Sequence, residues 1–186
     1  DVMATLKTVV LDSEKCIGCI TCMRRCPTEA IRIENGKAKI LYDKCINCGE
    51  CVRSCKGGAK RPVYDSFDLV ASYNYKIALP SPSLFGQFNN LDDPNYVIEG
   101  LLALGFDEVF EVGLAAELVT DCTKKVMQKS TLPRPVISTA CPAVAELILL
   151  RFHELTDHML NLYAPAKIAA KLAKKQALEK GIPADD

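Results

Sequence analysis

The chain has 186 residues, with 23 basic and 23 acidic side chains and a formal charge of zero, which argues against a globally basic nucleic-acid binder. An apolar fraction of 49% with 25% charged residues describes a globular rather than a disordered protein. No run approaches the roughly 18 consecutive apolar residues of a membrane span. The first ten residues, DVMATLKTVV, have none of the regions of a secretory leader, and the chain opens on Asp rather than Met. A cytoplasmic protein is expected, with a start that is not the native one.

Residues 8–11 read as a short strand. Residues 30–34 and 37–40 flank Asn35-Gly36, a two-residue hairpin signal. Around them lie eight of the ten cysteines, in two copies of C-x2-C-x2-C-x3-C that are 29 residues apart. The first copy is Cys16, Cys19, Cys22 and Cys26; the second is Cys45, Cys48, Cys51 and Cys55. Two-residue gaps cannot pair internally as disulfides without strain. Zinc usually takes two CxxC pairs per site. The repeated 2-2-3 gaps suit two cubane iron–sulfur clusters better than either. In that arrangement three close thiolates hold one cube and the fourth ligand comes from the other copy. Cluster 1 then takes Cys16, Cys19, Cys22 and Cys55, and cluster 2 takes Cys45, Cys48, Cys51 and Cys26. Pro27 follows the first crossing cysteine as the bacterial pattern has it, whereas Lys56 stands in that place in the second copy. The residues between ligands (Ile17, Gly18, Ile20, Ile46, Gly49, Val52) suit tight loops whose amides face cluster sulfurs. Arg24, Arg25, Lys44, Arg53 and Lys56 are either counter-charges to the anionic clusters or a solvated basic surface. Unprotected clusters point to an anaerobe.

Residues 57–62, GGAKRP, read as a linker. The expected division is 1–61 for the cluster domain, 62–71 for the connection and 72–186 for a second domain. In that domain, after a short helix over 63–71, residues 75–79 read as a buried strand. Residues 96–104 read as a helix stopped by Gly105, and 109–112 as a strand. A helix over 114–129 sets Ala115, Leu118, Val119, Cys122 and Val126 on one face, which predicts Cys122 in the core. A strand over 135–138 leads to a helix over 142–150 with Pro142 in its first turn. A final amphipathic helix spans 166–180 and is closed by Gly181. Alternating strands and helices imply an α/β domain with a mainly parallel sheet. A further strand would normally follow the last helix, so the domain is expected to be truncated. Cys141 lies at a strand end before a helix N-terminus, where the field lowers a thiol pKa; a buried structural cysteine is the other reading. His153 and His158 read as surface or capping residues.

Residues 1–61 resemble two-cluster bacterial-type ferredoxins, an α+β family whose task is one-electron transfer. Three later segments, in order, resemble the catalytic domain of iron-only (FeFe) hydrogenases. They are IALPSPS from Ile77, GFDEVFEVGLAAEL from Gly105 and PVISTACPA from Pro135, followed by a Pro165-led helix ending in KGIP. The resemblance covers roughly residues 72–186. It implies that Cys141 occupies a ligand position of the family's H-cluster, that cluster being expected only in a full-length parent. It also implies that Pro82 and Ser83 lie where the family lines the di-iron subcluster. Family members that turn hydrogen over rapidly carry a proton-relaying cysteine where this chain has Ala140, and acidic residues where Cys122 and Thr123 follow Asp121. A methyl group cannot donate a proton, and the pattern is similar to the sensory branch. The expected function is electron transfer through two [4Fe-4S] clusters in a hydrogenase-like protein that senses hydrogen or redox state. The alternative is a stand-alone electron carrier with a non-catalytic docking or scaffold domain. The resemblance implies a redox partner protein or adjoining domain. Hydrogen oxidation or proton reduction would belong to the parent, and no catalytic residue is assigned within this chain alone.

Overall fold

The computed structural model describes residues 8–129 and 132–183. Parts of the opening segment read above, and residues 184–186, lie outside these. In chain order the elements are β1 (Val9–Leu11), α1 (Thr21–Arg25), β2 (Ile31–Glu34), β3 (Lys37–Ile40), α2 (Glu50–Arg53), β4 (Lys60–Pro62) and β5 (Ile77–Ala78). They continue as α3 (Pro82–Phe85), α4 (Asn95–Ala103), β6 (Glu108–Val109), α5 (Val112–Lys129), α6 (Pro142–Arg151) and α7 (Pro165–Glu179). Short 3-10 turns lie at Tyr42–Lys44, Phe67–Ser72 and His153–His158. The chain forms two compact units, Asp1–Asp65 with Cys141–Asp157, and Ser66–Ala140 with His158–Asp186.

In the first unit β2 and β3 form the expected hairpin, with Ile31 opposite Ile40 and Glu34 opposite Lys37. Asn35 (φ 50) and Gly36 (φ 72) are both left-handed, as the tight turn demands. β1 pairs antiparallel with β4, Leu11 facing Lys60 and Val9 facing Pro62. Lys60–Pro62 are therefore a strand, where the Gly- and Pro-rich stretch reads as linker. The ladder is only two strands wide, so Pro62 sits at its edge and its missing N–H disrupts no central pairing. The core gathers Cys16, Cys22, Ile31, Ala38 and Ala59.

The 29-residue repeat also reaches the backbone. Left-handed residues recur in register at Gly18 and Asn47, Ile20 and Gly49, and Glu29 and Gly58. Each pair is 29 residues apart, and at each one copy uses glycine while the other bears a side chain. Gly49 and Ile20 each stand at the N-cap of the short helix that carries the third thiol of its copy, Cys51 and Cys22.

In the second unit β5 and β6 pair in parallel, Ile77 with Glu108 and Ala78 with Val109. A single parallel bridge joins Ile137 to Met159. Among the described residues these are the only parallel pairings, so the sheet is much smaller than the sequence pattern suggests. Pro80 follows β5 closely and Pro135 opens the third strand-like stretch; both lack the N–H that would extend a ladder. The four longer helices match the periodic pattern to within a few residues, whereas the short helix expected over 63–71 is a 3-10 turn over Phe67–Ser72. α5 packs on α7, where Phe110, Val112 and Ala115 meet Ala169 and Ala173. Ala115 and Ala169 are fully buried, and Ala169, Ala173 and Ala177 recur at helical spacing, letting the two backbones approach closely. Cys122, expected in the core, is exposed. Only Val112 and Ala115 of α5 are buried, and Leu118 (50% exposed) marks where the apolar stripe leaves its neighbour. No helix is long and apolar enough to cross a membrane among the described residues.

Candidate metal centre

All ten cysteines are free thiols. Eight of them surround two hollows in the first unit. One hollow, of about 230 Å³, is lined by Cys16, Cys19, Cys22 and Cys55. The other, of about 20 Å³, is lined by Cys26, Cys45, Cys48 and Cys51. Each hollow draws three thiols from one copy of the motif and one from the other. The exchange follows from the local fold. α1 and α2 touch each other, and the turn after each helix delivers its last cysteine next to the opposite copy. Glu50 fastens the two helices together, accepting from Arg25 (3.0 Å) and Arg53 (2.7 Å). Those two guanidiniums hold its carboxyl below the usual range, Arg53 more than Arg25. Arg25 and Arg53 are thus engaged by Glu50, while Arg24 and Lys44 are exposed. Of the five basic residues singled out in the sequence, Lys56 lines the larger hollow.

Backbone amides point at sulfur in both copies. Ala30 N–H donates to Cys26 Sγ at 3.2 Å, and Ala59 N–H donates to Cys55 Sγ at the same distance. Ala38 N–H adds a donor to Cys16 Sγ at 3.4 Å. Such donors favour the thiolate form and would face a bound cluster's sulfur atoms. The amide of Ala38 lowers the pKa of Cys16, and the backbone of Thr21 lowers that of Cys19. Burial raises those of Cys22 and Cys45, and pushes Cys51 up to about 11, partly offset by Lys60 at Cys22 and Cys51. These buried thiols give up protons when metal binds rather than beforehand.

The donor chemistry fits iron–sulfur clusters. Among the described residues no three His, Cys, Asp or Glu side chains converge as a single ion would need. Each quartet instead lines the wall of one hollow, the placement that ligands to different irons of one cluster need. The larger hollow has room at its centre, whereas the smaller one must widen to admit the same group. Among the described residues two buried polar side-chain atoms lack hydrogen-bond partners, Lys60 Nζ and Ser54 Oγ, and both residues line the larger hollow. An orphan ammonium there calls for an anion opposite it.

The remaining residues singled out in the sequence lie outside these hollows. Cys141 is exposed at the N-cap of α6, a helix that shares the first unit. Arg151 of α6 reaches the Pro27 carbonyl (3.4 Å) and Glu29. Ala140 is exposed beside Ser138. Pro82 opens α3, and the hydroxyls of Ser81 and Ser83 lie 3.0 Å apart. His153 is exposed, and His158 Nδ1 lies 2.8 Å from the Pro135 carbonyl.

Two thiol-lined hollows built by a duplicated motif define an iron–sulfur electron-transfer protein, and residues 8–56 match the 4Fe-4S dicluster domain. The chain belongs to the family described as "Iron only hydrogenase large subunit, C-terminal domain", whose model matches residues 74–185. It is similar to the periplasmic [Fe] hydrogenase large subunit of Nitratidesulfovibrio vulgaris, with 27% identity over 94% of this chain and 46% of that protein. It is also similar to Ferredoxin-2 of Desulfomicrobium norvegicum, with 52% identity over 17% of this chain and 52% of that protein. The chain spans about half the length of these curated relatives.

Proposed function

We propose that the protein carries single electrons through two [4Fe-4S] clusters within an iron-only hydrogenase-like protein. Cluster 1 is held by Cys16, Cys19, Cys22 and Cys55, and cluster 2 by Cys45, Cys48, Cys51 and Cys26. The observation that carries this reading is the sorting of the eight thiols into two hollows with one cysteine exchanged. A bound cluster supplies reversible one-electron transfer at a potential set by its surroundings. The chain's own part is to hold the thiols apart, aim the amides of Ala30, Ala38 and Ala59 at sulfur, and keep water from the inner walls.

In this reading residues 1–61 form the ferredoxin-type domain, 62–71 connect, and 72–186 are hydrogenase-like, with a mainly parallel sheet to which β5 and β6 belong. Cys141 stands at the family's H-cluster ligand position, and the methyl of Ala140 removes a proton relay, which favours sensing over rapid turnover. A cytoplasmic setting belongs to the reading, and cell fractionation tests it against the periplasmic setting of one relative. The partner is a redox protein or an adjoining domain that delivers or withdraws electrons.

The test is iron analysis of anaerobically prepared protein. About eight irons per chain are expected from two cubanes. Cys55→Ala is expected to lose the signal of the cluster held by the first three cysteines while sparing the other. Four irons, bound zinc, or selective loss of the Cys45 group would refute the assignment. Hydrogen oxidation by matured full-length protein would overturn the sensing reading.

A further inference from the structure

The two motif copies share cysteine spacing, left-handed turns and the amide-to-thiol bonds of Ala30 and Ala59. They differ at the next position. The first copy places Ile31 there, 2% exposed; the second places Lys60, 3% exposed. Pairing of Lys60 with Leu11 fixes its place in β4. Its ammonium is buried and has no hydrogen-bond partner among the described residues, and the nearby Ser54 hydroxyl shares that condition. Both residues line the hollow of Cys16, Cys19, Cys22 and Cys55, and neither lines the other hollow. Amides add to the imbalance. Ala38 and Ala59 donate to thiols of the first quartet, and Ala30 to one of the second, where the Asn47 backbone also favours the Cys45 thiolate. Lys60 acts on Cys16 and Cys22 of the first quartet and on Cys51 alone of the second, where Glu146 of α6 adds an opposing negative charge at Cys45.

We propose that Lys60 makes the two iron–sulfur sites unequal: its ammonium stabilises the electron added among Cys16, Cys19, Cys22 and Cys55, so that this site is reduced first. The inference rests on the two-cluster reading above. In the step a one-electron reductant of the dithionite class loses one electron, the site becomes one charge more negative, no bond breaks and no proton is needed. A buried cation favours the more negative state because little solvent screens it. Lys60 therefore acts as a positioning charge that sets where an incoming electron rests. Electrons would leave the second site for the first, giving the pair a direction.

The experiment is a redox titration of the whole, iron-loaded chain followed by paramagnetic resonance, on the parent and on Lys60→Met, Lys60→Gln and Lys60→Arg. The parent should show two separate one-electron couples. In the two neutral variants the upper couple should fall by at least a tenfold change in the oxidised-to-reduced ratio, about 59 mV for one electron. The lower couple should move less, and Lys60→Arg should keep the parental gap. If both neutral variants lose iron while Lys60→Arg loads fully, the charge requirement is upheld. Iron loss in all three marks Lys60 as packing only and overturns the proposal, as do neutral variants that load fully with unchanged couples. A parent that holds no iron overturns the cluster reading itself, whereas a loaded parent with equal couples overturns this inference alone.

Discussion

The two units bury their interiors with different materials. In the first, the core is two thiols, two alanines and Ile31, and the strands are three or four residues long. Ile31 is the one large side chain that is fully buried among the described residues. In the second, Phe110, Val112 and three alanines seal helices of 18 and 15 residues together. A small thiol-lined core buries too little apolar surface to offset chain entropy. On the proposed two-cluster reading, ligand bonds to metal supply the missing free energy, as in other small metal-dependent domains. The helical pair of the second unit relies on apolar contact that is independent of metal.

The sharpest way to break this contrast is to remove the iron. Chelation under anaerobic conditions is expected to abolish amide-exchange protection across β1 to β4 while α5 and α7 stay protected. Equal loss in both units, or none, would show that the contrast is false. A smaller but local effect is expected from Gly18→Ala. Gly18 has φ +71, and a Cβ there would overlap the Gly36 carbonyl oxygen. The left-handed backbone and the overlap together should cost roughly 2–4 kcal/mol, with iron lost first from the quartet that includes Cys16 and Cys19. Asn47, its counterpart in the second copy, already carries a side chain at φ 53, so Asn47→Gly should load normally. A Gly18→Ala protein that melts and loads like the parent would remove the argument from close approach.

How much of this was legible in the sequence follows the same division. Which thiols share a hollow was readable because cysteine spacing is a local constraint, and each copy repeats it. The hairpin was readable because Asn-Gly fits the turn without help from the rest of the chain. The helices were readable from their period and from Pro142, Pro165 and Gly181 at their ends. Lys60 was missed because GGAKRP looks like a linker. Extending the repeat five residues past Cys26 and Cys55 would have set Lys60 against Ile31 and exposed it. Burial was the least legible property. Ile17 and Ile46 match in the repeat, yet one is 84% exposed and the other 4%. Cys122 lies on a stripe that looks continuous, but α7 covers only the N-terminal part of it. Periodicity marks a face; it does not say how far a neighbour reaches along it.

The mildest test lies in the second unit, at the ion pair that ties β6 to the end of α7. Glu108 accepts from Lys180 Nζ at 2.7 Å and from the Tyr75 hydroxyl at 2.8 Å. Lys180, and then Tyr75, hold the Glu108 carboxyl below its ordinary value of 4.5, while Glu108 raises Lys180. A depressed carboxylate stabilises the fold above its unfolded pKa, and that contribution fades as pH falls through the lower folded value. Lys180 contributes below its ordinary value and loses this as pH rises through the raised one. The pair should therefore help across the neutral range and weaken at both extremes. The Lys180 end of the pair is half-exposed and solvent screens it, so Glu108→Gln should cost only about 0.5 kcal/mol near neutrality. That difference should shrink in acid, because the wild-type carboxyl then becomes neutral as well. Melting of the second unit at neutral and acid pH measures it. A loss that grows in acid would mean that Glu108 acts through packing rather than charge, and that the second unit is less independent of its ion pairs than its alanine seam suggests.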